Sequence, residues 1–188
     1  MSIEHFKGKY EVELKYRLPS EAAFLAQLRQ LPHQVMLENN TEFDCYFDTS
    51  ERRLQRQHKS VCIREMEPSG IKLWIVKGPE PDRCEATRIT NAESARSMLV
   101  TMGYQPVLRI DKTRSIYFMD DYHITLDHLQ GIGFFAEFAI MTDDEAKLPV
   151  YRQELEALSA RFGLDASHLE NKSYREMVAN LQNSNHSS

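Results

Sequence analysis

The stretch YEVELKYRL, residues 10–18, alternates between two kinds of side chain. Its charged members are Glu11, Glu13, Lys15 and Arg17, and every residue between them is apolar or aromatic. Successive side chains of a β-strand point to opposite faces of a sheet, so this period of two predicts a strand with one apolar face and one charged face. Taken alone, the charged face suits water as well as it suits a binding site.

Seven further segments have the composition or the alternation of strands, which makes eight strands in total. They are TEFDCYFDT (41–49), SVCIREM (60–66), IKLWIVKG (71–78), RCEATRI (83–89), DKTRSIYFM (111–119), YHITLDHL (122–129) and FFAEFAIM (134–141). Several are joined by short turns, such as the Pro68-Ser69-Gly70 connection, which is typical of hairpins. This pattern predicts a large antiparallel sheet or barrel.

Capping and stop signals mark four helices outside these strands. The signals are Ser20 and Pro32, Asn91 and Gly103, Pro149 and Gly163, and a capping box formed by Ser173 and Glu176. No repeat or linker interrupts the chain, so we predict one α+β domain over residues 1–182. The polar tail at 183–188 is expected to be disordered.

Composition excludes several classes of protein. A net charge of −5 disfavours a partner bound through many phosphates, such as a nucleic-acid polymer. No apolar run approaches the ~18 residues of a membrane span. Cys45, Cys62 and Cys84 are odd in number and far apart, which argues against a disulfide framework or a thiolate metal site. We therefore expect a cytoplasmic protein.

The other strands also carry charges on mixed or apolar faces, where an isolated charge is costly to bury. If these faces converge, six cations would meet five carboxylates: Lys15, Arg17, Arg64, Lys77, Lys112 and Arg114 with Glu11, Glu13, Glu85, Asp127 and Glu137. Arginine and lysine bind phosphates, and carboxylates bind Mg²⁺ or Mn²⁺, so such a lining suits a metal-bound triphosphate. An internal salt-bridge network without a ligand fits the spacing equally well.

The ordered set of motifs resembles the CYTH, or triphosphate tunnel metalloenzyme, superfamily. The similarity runs through Glu11-x-Glu13-x-Lys15, YFDT (46–49), Arg64, VKGP (76–79), Arg83-x-Glu85, Lys112-x-Arg114, Asp127, Glu137 and the SYRE segment (173–176). The opening HFKGKYEVELKYRL (5–18) is most similar to bacterial class IV adenylyl cyclases. The resemblance implies an open, eight-stranded antiparallel barrel of the triphosphate-tunnel type, often dimeric, with the substrate in its lumen.

The same resemblance implies roles for individual residues. Metal binding, with two Mg²⁺ or Mn²⁺ ions per active site, would fall to Glu11, Glu13, Asp127 and Glu137. Triphosphate binding would fall to Lys15, Arg64, Lys77, Lys112 and Arg114, with Glu85 orienting neighbouring basic groups. The catalytic residues would be Glu13, Lys112, Arg114 and Glu137. The roles of Arg17, Arg83 and His123 stay open.

The resemblance implies the conversion of ATP to 3′,5′-cyclic AMP and pyrophosphate by attack of the ribose 3′ oxygen on the α-phosphate. The alternative is a metal-dependent triphosphatase that hydrolyses inorganic or thiamine triphosphate with the same residues. A third interpretation is a module that binds a triphosphate without converting it to a product. We expect a homodimer that binds ATP or another triphosphate, and no membrane partner; no group that would recognise the base is evident.

Overall fold

The computed structural model describes residues 3–186. Its strands are β1 (Tyr10–Arg17), β2 (Gln34–Asp48), β3 (Ser60–Glu67), β4 (Lys72–Lys77), β5 (Cys84–Arg88), β6 (Gln105–Met119), β7 (Tyr122–Leu129) and β8 (Gly133–Thr142). Its α-helices are α1 (Glu21–Leu28), α2 (Arg53–Arg56), α3 (Ala92–Thr101), α4 (Leu148–Ala160) and α5 (Tyr174–His186). Short 3-10 helices lie at Ile3–Phe6, Glu145–Lys147 and Ala166–His168.

The strands follow the order β1-β8-β7-β6-β2-β3-β4-β5 in one sheet. Neighbouring strands pair antiparallel in β1–β8, β8–β7, β7–β6, β2–β3, β3–β4 and β4–β5. The predicted α+β class with an eight-stranded antiparallel sheet is confirmed. The described residues form two compact units. The first consists of the chain up to Asn39 together with the chain from Lys112 onward, and the second is Asn40–Asp111. That residues 1–182 act as one catalytic domain stays a prediction.

The first unit buries the apolar face that the alternation of β1 predicts. Val12, Leu14 and Tyr16 are almost completely buried and join one core cluster with Phe138 of β8. Helices α1 and α4 supply the other layer of this core with Phe24, Leu28, Leu155 and Leu158, and Phe162 joins it from the turn after α4. The apolar face of the sheet therefore supports the fold, and its opposite face is left for other contacts.

The second unit packs α3 against β2 and β3. Phe47 and Ile63 form a core cluster with Ala92, Ala95 and Leu99. Asn91 caps α3 by accepting a hydrogen bond from the backbone N–H of Ser94 at 2.9 Å, as the sequence predicts. Burial of one side of a short amphipathic helix explains why α3 lies along these strands.

Two strands begin earlier than the sequence predicts. β2 begins at Gln34 instead of residue 41, and β6 begins at Gln105 instead of residue 111. The added segments contain strand-disfavouring residues, Asn39, Asn40 and Pro106, and lack a clean alternation. Both segments are strand in the structure in spite of these local preferences.

The chain ends hold two further differences from expectation. The 3-10 helix Ile3–Phe6 was not predicted, because four residues are too few for a periodic signal. At the other end, α5 continues to His186 and so includes four residues of the predicted tail. Residues 187 and 188 of that tail lie outside the described residues. In the part of the chain described here, no helix is long and apolar enough to cross a membrane.

Candidate active site

The polar side of β1, β8, β7 and β6 forms what we call the charged face of the first unit. Strand register defines its rows: Lys15 lies opposite Glu137, Glu137 opposite Thr125, and Arg114 opposite Asp127. By the period of two, the face comprises Glu11, Glu13, Lys15, Arg17, Lys112, Arg114, Ile116, Phe118, His123, Thr125, Asp127, Phe135, Glu137 and Ala139. The register thus brings most of the predicted metal and phosphate residues together on one surface.

Arg114 lies at the centre of this face and contacts two carboxylates. Its Nε donates to Asp127 Oδ1 at 2.6 Å, and its Nη2 donates to Asp127 Oδ2 at 2.5 Å and to Glu137 Oε2 at 2.6 Å. All three residues are at least nine-tenths buried. Thr125 Oγ1 adds a longer hydrogen bond to Glu137 Oε2, at 3.3 Å. A buried carboxylate needs such partners to remain ionised.

Tyr174, the first residue of α5, reaches the same group from the helix. Its hydroxyl donates to Asp127 Oδ2 at 2.7 Å. Its ring centroid lies 4.5 Å from Lys15 Nζ and 5.9 Å from Lys112 Nζ, within the range of cation–π contacts. Tyr174 therefore holds one carboxylate and two predicted phosphate-binding lysines in place.

Burial and charge set the protonation of this group. Burial raises the pKa of Asp127 above its ordinary value, and the adjacent Arg114 guanidinium counteracts that rise. Burial, followed by the charges of Asp127 and Glu137, raises the pKa of Tyr174 well above its ordinary value. The Tyr174 hydroxyl consequently keeps its proton and remains a hydrogen-bond donor.

The two glutamates of β1 lie toward the other end of the charged face. Glu13 pairs with Ala139 of β8, which in turn pairs with His123 of β7. Glu11 Oε2 lies 3.5 Å from Nε2 of His123, and this histidine is 4% exposed. His123 thus neighbours a predicted metal ligand.

Arg17, whose role the sequence leaves open, makes structural contacts. Its Nη1 donates to the carbonyl of Ile132 at 3.0 Å, and its Nη2 lies 3.4 Å from Glu170 Oε2. The guanidinium also lies over the Phe135 ring, 4.6 Å from its centroid. With 47% of its side chain exposed, Arg17 links β1 to the turn before β8 and to the segment before α5.

The second unit contains the other predicted phosphate residues. Arg64 makes a two-pronged contact with Asp44, with Nε–Oδ1 at 2.6 Å and Nη2–Oδ2 at 2.8 Å, and its Nη1 lies 3.3 Å from Glu42 Oε2. Sequence reasoning did not assign either carboxylate to the site. Asp44 lies opposite Arg64 in the β2–β3 register, a pairing that the alternation of the 41–49 segment does not reveal.

Lys77, Glu85 and Arg83 lie on or next to β4 and β5 in the second unit. Lys77 is exposed at the end of β4. Arg83 Nη2 donates to Glu85 Oε2 at 2.9 Å, with 53% of the Glu85 side chain exposed. Arg83 and Glu85 therefore form an ion pair at the surface of this unit, and the roles that the resemblance implies for Lys77 and Glu85 stay predictions.

The carboxylates of the charged face have the oxygen donors that Mg²⁺ and Mn²⁺ prefer. Within residues 3–186, however, no three His, Cys, Asp or Glu side chains are gathered closely enough to hold a metal ion. Arg114 contacts both Asp127 and Glu137 and balances part of their charge. The donor set fits a hard divalent cation in its chemistry, with Arg114 in competition for two of its members.

Comparison with known proteins gives a consistent picture. The CYTH domain family matches residues 9–174. Adenylate cyclase CyaB of Aeromonas hydrophila is 59% identical over 177 residues, which cover 94% of this chain and 93% of that protein. A candidate adenylate cyclase of Methanocaldococcus jannaschii is 27% identical and covers 89% and 97% of the two chains. The crystal structure of a candidate adenylate cyclase from Vibrio parahaemolyticus has 54% identity, a TM-score of 0.90 and coverage of 92% and 99%.

Proposed function

The chain belongs to the CYTH family, and we propose that it is an adenylate cyclase that converts ATP to 3′,5′-cyclic AMP and pyrophosphate. Identity of 59% over nearly the whole length of an adenylate cyclase is the main support. The single structural observation that carries the proposal is the charged face. It places Arg114, Lys15 and Lys112 beside the carboxylates Glu137 and Asp127, which matches a substrate that is both anionic and metal-bound.

The basic residues of the charged face would bind the phosphates and compensate their charge. In the reaction, the ribose 3′ hydroxyl loses its proton to solvent, its oxygen forms a bond to the α-phosphorus, and the bond from that phosphorus to the oxygen of the leaving pyrophosphate breaks. Negative charge grows on the pyrophosphate, so Lys15, Lys112 and Arg114 would stabilise it as it leaves. Tyr174 would act as a positioning residue, because its ring contacts the two lysines and its hydroxyl holds Asp127.

Glu11, Glu13, Asp127 and Glu137 would hold Mg²⁺ or Mn²⁺, with two ions per active site. Such ions supply Lewis acidity that lowers the pKa of a hydroxyl and neutralises phosphate charge. For Asp127 and Glu137 to serve as ligands, Arg114 has to exchange its contact with a carboxylate for one with a phosphate. Glu13, Glu137, Lys112 and Arg114 remain the proposed catalytic residues.

Arg64 and Lys77 of the second unit are proposed as further phosphate-binding residues, with Glu85 orienting the basic group beside it; the motif resemblance supports this.

We also propose that the protein is a homodimer in the cytoplasm. Sedimentation velocity would test the dimer, since a monomer at micromolar concentration would contradict it. The cytoplasm contains the proposed substrate ATP, and an odd number of cysteines suits a compartment that keeps thiols reduced.

A product assay tests the proposed activity. The full chain is incubated with ATP and Mg²⁺ or Mn²⁺, and the nucleotides are separated by chromatography. We expect cyclic AMP and pyrophosphate, and no product when a chelator removes the metal. ADP with phosphate, or rapid cleavage of inorganic tripolyphosphate without cyclic AMP, would identify a triphosphatase and overturn the proposal.

A further inference from the structure

An aromatic cluster lies at one end of the charged face, beyond the residues assigned to metal and phosphate. The 3-10 helix Ile3–Phe6 places the ring of His5 on that of Phe118, with centroids 3.9 Å apart and planes 2° from parallel. Phe6 lies 4.9 Å from the ring of His123 and 5.8 Å from that of Phe118. Four rings thus gather where β6 ends and β7 begins.

A cavity of about 360 Å³ opens beside this cluster. It is lined by His5, Pro32, His33, Gln34, Phe118 and Asp120. The lining combines flat aromatic surface with an amide and a carboxylate, both on exposed residues. Its volume lies at the lower end of the range for small-molecule sites, which suits part of a ligand such as one heteroaromatic ring system.

Two ring nitrogens at the cluster lack hydrogen-bond partners among the described residues. One is Nδ1 of His5, a residue that lines the cavity. The other is Nδ1 of His123, a residue that is only 4% exposed. Buried polar atoms in native proteins are nearly always paired, and exceptions point to a bound water, ion or ligand.

The position of the cluster along the charged face matches the layout of a nucleotide. Phe118 pairs with His123, and Arg114 pairs with Asp127 four residues away along each strand. Four residues of strand span about 13 Å, a separation that a nucleoside triphosphate bridges between its base and its terminal phosphates. Glu13 is in the row of His123 and Glu11 contacts that histidine, so these two carboxylates lie near the aromatic end, whereas Arg114 lies with Asp127 and Glu137 further along the face.

We propose that this cavity binds the adenine base of the substrate, an inference that rests on the proposed cyclase activity and deepens it. The base stacks against the His5–Phe118 pair, as bases stack on aromatic side chains in single-strand binding proteins. The Gln34 amide can pair with the hydrogen-bonding edge of adenine, and Asp120 can accept from its exocyclic amine. Glu11 and Glu13 then face the ribose and α-phosphate, and the basic group around Arg114 faces the β- and γ-phosphates.

Calorimetry with two ligands separates base binding from phosphate binding. The full chain, with Mg²⁺, is titrated with 3′-deoxy-ATP, which cannot cyclise, and with inorganic tripolyphosphate, which has no base. Phe118→Leu removes the stacking surface, so we expect the affinity for 3′-deoxy-ATP to fall by about 5- to 150-fold, the range that a lost base–aromatic stack gives. The affinity for tripolyphosphate should stay unchanged.

A second variant keeps the test decisive if Phe118→Leu does not fold. Gln34 and Asp120 are exposed, so the double variant Gln34→Ala, Asp120→Asn leaves the core intact. Asparagine also tolerates the positive φ of 50° at position 120. We expect it to weaken 3′-deoxy-ATP by about 5-fold or more through lost hydrogen bonds, while Gln30→Ala, an exposed glutamine in the preceding segment, has no effect.

The outcomes distinguish failure of this inference from failure of the proposed function. If the wild type produces cyclic AMP but the folded variants bind 3′-deoxy-ATP as well as it does, the base site is wrong. Equal losses for both ligands would also overturn it, because they indicate a general disturbance of the phosphate site. If the wild type makes no cyclic AMP, the cyclase proposal itself fails.

Discussion

Arg114 holds two buried carboxylates, and this makes its chemistry hard to separate from its role in folding. Removing one member of a buried ion pair typically costs about 3–5 kcal/mol because the remaining charge is stranded. Substitution of Arg114 would leave both Asp127 and Glu137 in that position. Activity lost in an Arg114 variant would therefore say little about catalysis, and residues at the edge of the group are better probes.

Tyr174 is one such probe, because its hydroxyl and its ring make different contacts. Tyr174→Phe removes the hydrogen bond to Asp127 and keeps the ring beside Lys15. We expect the free energy of unfolding in urea to fall by about 1.5–3 kcal/mol, as for a lost hydrogen bond to a charged group. Tripolyphosphate affinity should change by less than about 2-fold, since the cation–π contacts remain.

The control is Tyr122→Phe, because the Tyr122 hydroxyl also donates to a carboxylate, Glu154, at an exposed position. Water replaces that partner, so its loss should cost less than about 1 kcal/mol. If both variants lost the same free energy of unfolding, the buried hydrogen bond of Tyr174 would stabilise the fold no more than the exposed one of Tyr122. Tyr174→Leu, which also loses the ring, should in addition weaken tripolyphosphate binding about 2- to 5-fold.

Glu13 tests the metal assignment at the level of a single carboxylate. Glu13→Ala should reduce the rate of cyclic AMP formation by more than about 100-fold, because losing a direct ligand exceeds the 10- to 100-fold cost of losing a residue behind it. Glu80→Ala, an exposed glutamate in a loop, should keep normal activity. Lys112→Ala should instead weaken triphosphate binding. Folded Glu13 and Lys112 variants with near-normal activity would refute the assignment of both residues.

Some members of the site could be predicted from the sequence, and the reason is the period of a strand. Arg114, Asp127 and Glu137 were assigned to one lining from alternation and family motifs, and they are in contact. Tyr174 was not assigned to this lining, because no local sequence pattern indicates which strand residue a helix will contact. Asp44 lies in an alternating strand, but only the pairing of β2 with β3 identifies Arg64 as its partner.

At the scale of elements, prediction worked where local chemistry and tertiary contacts agree. The strand β1 and the helix α3 carry unambiguous alternation and capping, and the structure has them where the sequence places them. The early parts of β2 and β6 are strand although their own propensities disfavour it, and local sequence therefore does not reveal them.

The first turn of α5 offers a prediction at this scale, because it positions Tyr174. Ser173 Oγ accepts a hydrogen bond from the backbone N–H of Glu176 at 3.2 Å, and Glu176 Oε2 accepts one from the backbone N–H of Ser173 at 2.7 Å. Ser173→Ala removes half of this capping box and should lower the free energy of unfolding by about 1 kcal/mol. Amide hydrogen exchange at Glu176 should become faster.

Ser184→Ala, near the other end of the same helix, is the matched control and should leave exchange in the first turn unchanged. Unchanged exchange in the Ser173 variant would mean that tertiary contacts, and not the cap, hold this turn. Faster exchange throughout α5 in both variants would indicate that the whole helix opens as one unit.

At the scale of the whole molecule, buried tyrosines predict a loss of stability in alkali. Burial raises the pKa of Tyr16, Tyr117 and Tyr174 above the ordinary value near 10. Above that pH the unfolded chain releases protons that the folded chain retains, so rising pH favours unfolding. We expect the urea midpoint to be steady up to about pH 9 and to fall from about pH 10 upward.

Tyrosinate absorbance provides the check on this mechanism. In the folded protein, fewer than all eight tyrosines should ionise near pH 10, and the rest should ionise together with unfolding. If all eight ionised in the folded state near pH 10, buried tyrosines would not explain any alkaline loss of stability.

The two faces of β1 differ in how substitutions on them affect the fold. Even-numbered positions 12, 14 and 16 are committed to the interior, whereas odd-numbered positions 11, 13 and 15 are available for chemistry. Substitutions at the odd positions can redirect the reaction without touching the core. Deletion of a single residue within Tyr10–Arg17 would exchange the two sets for the rest of the strand and turn its carboxylates into the core. Replacement at the odd-numbered positions therefore leaves the fold of this strand intact, whereas insertion or loss of a residue does not.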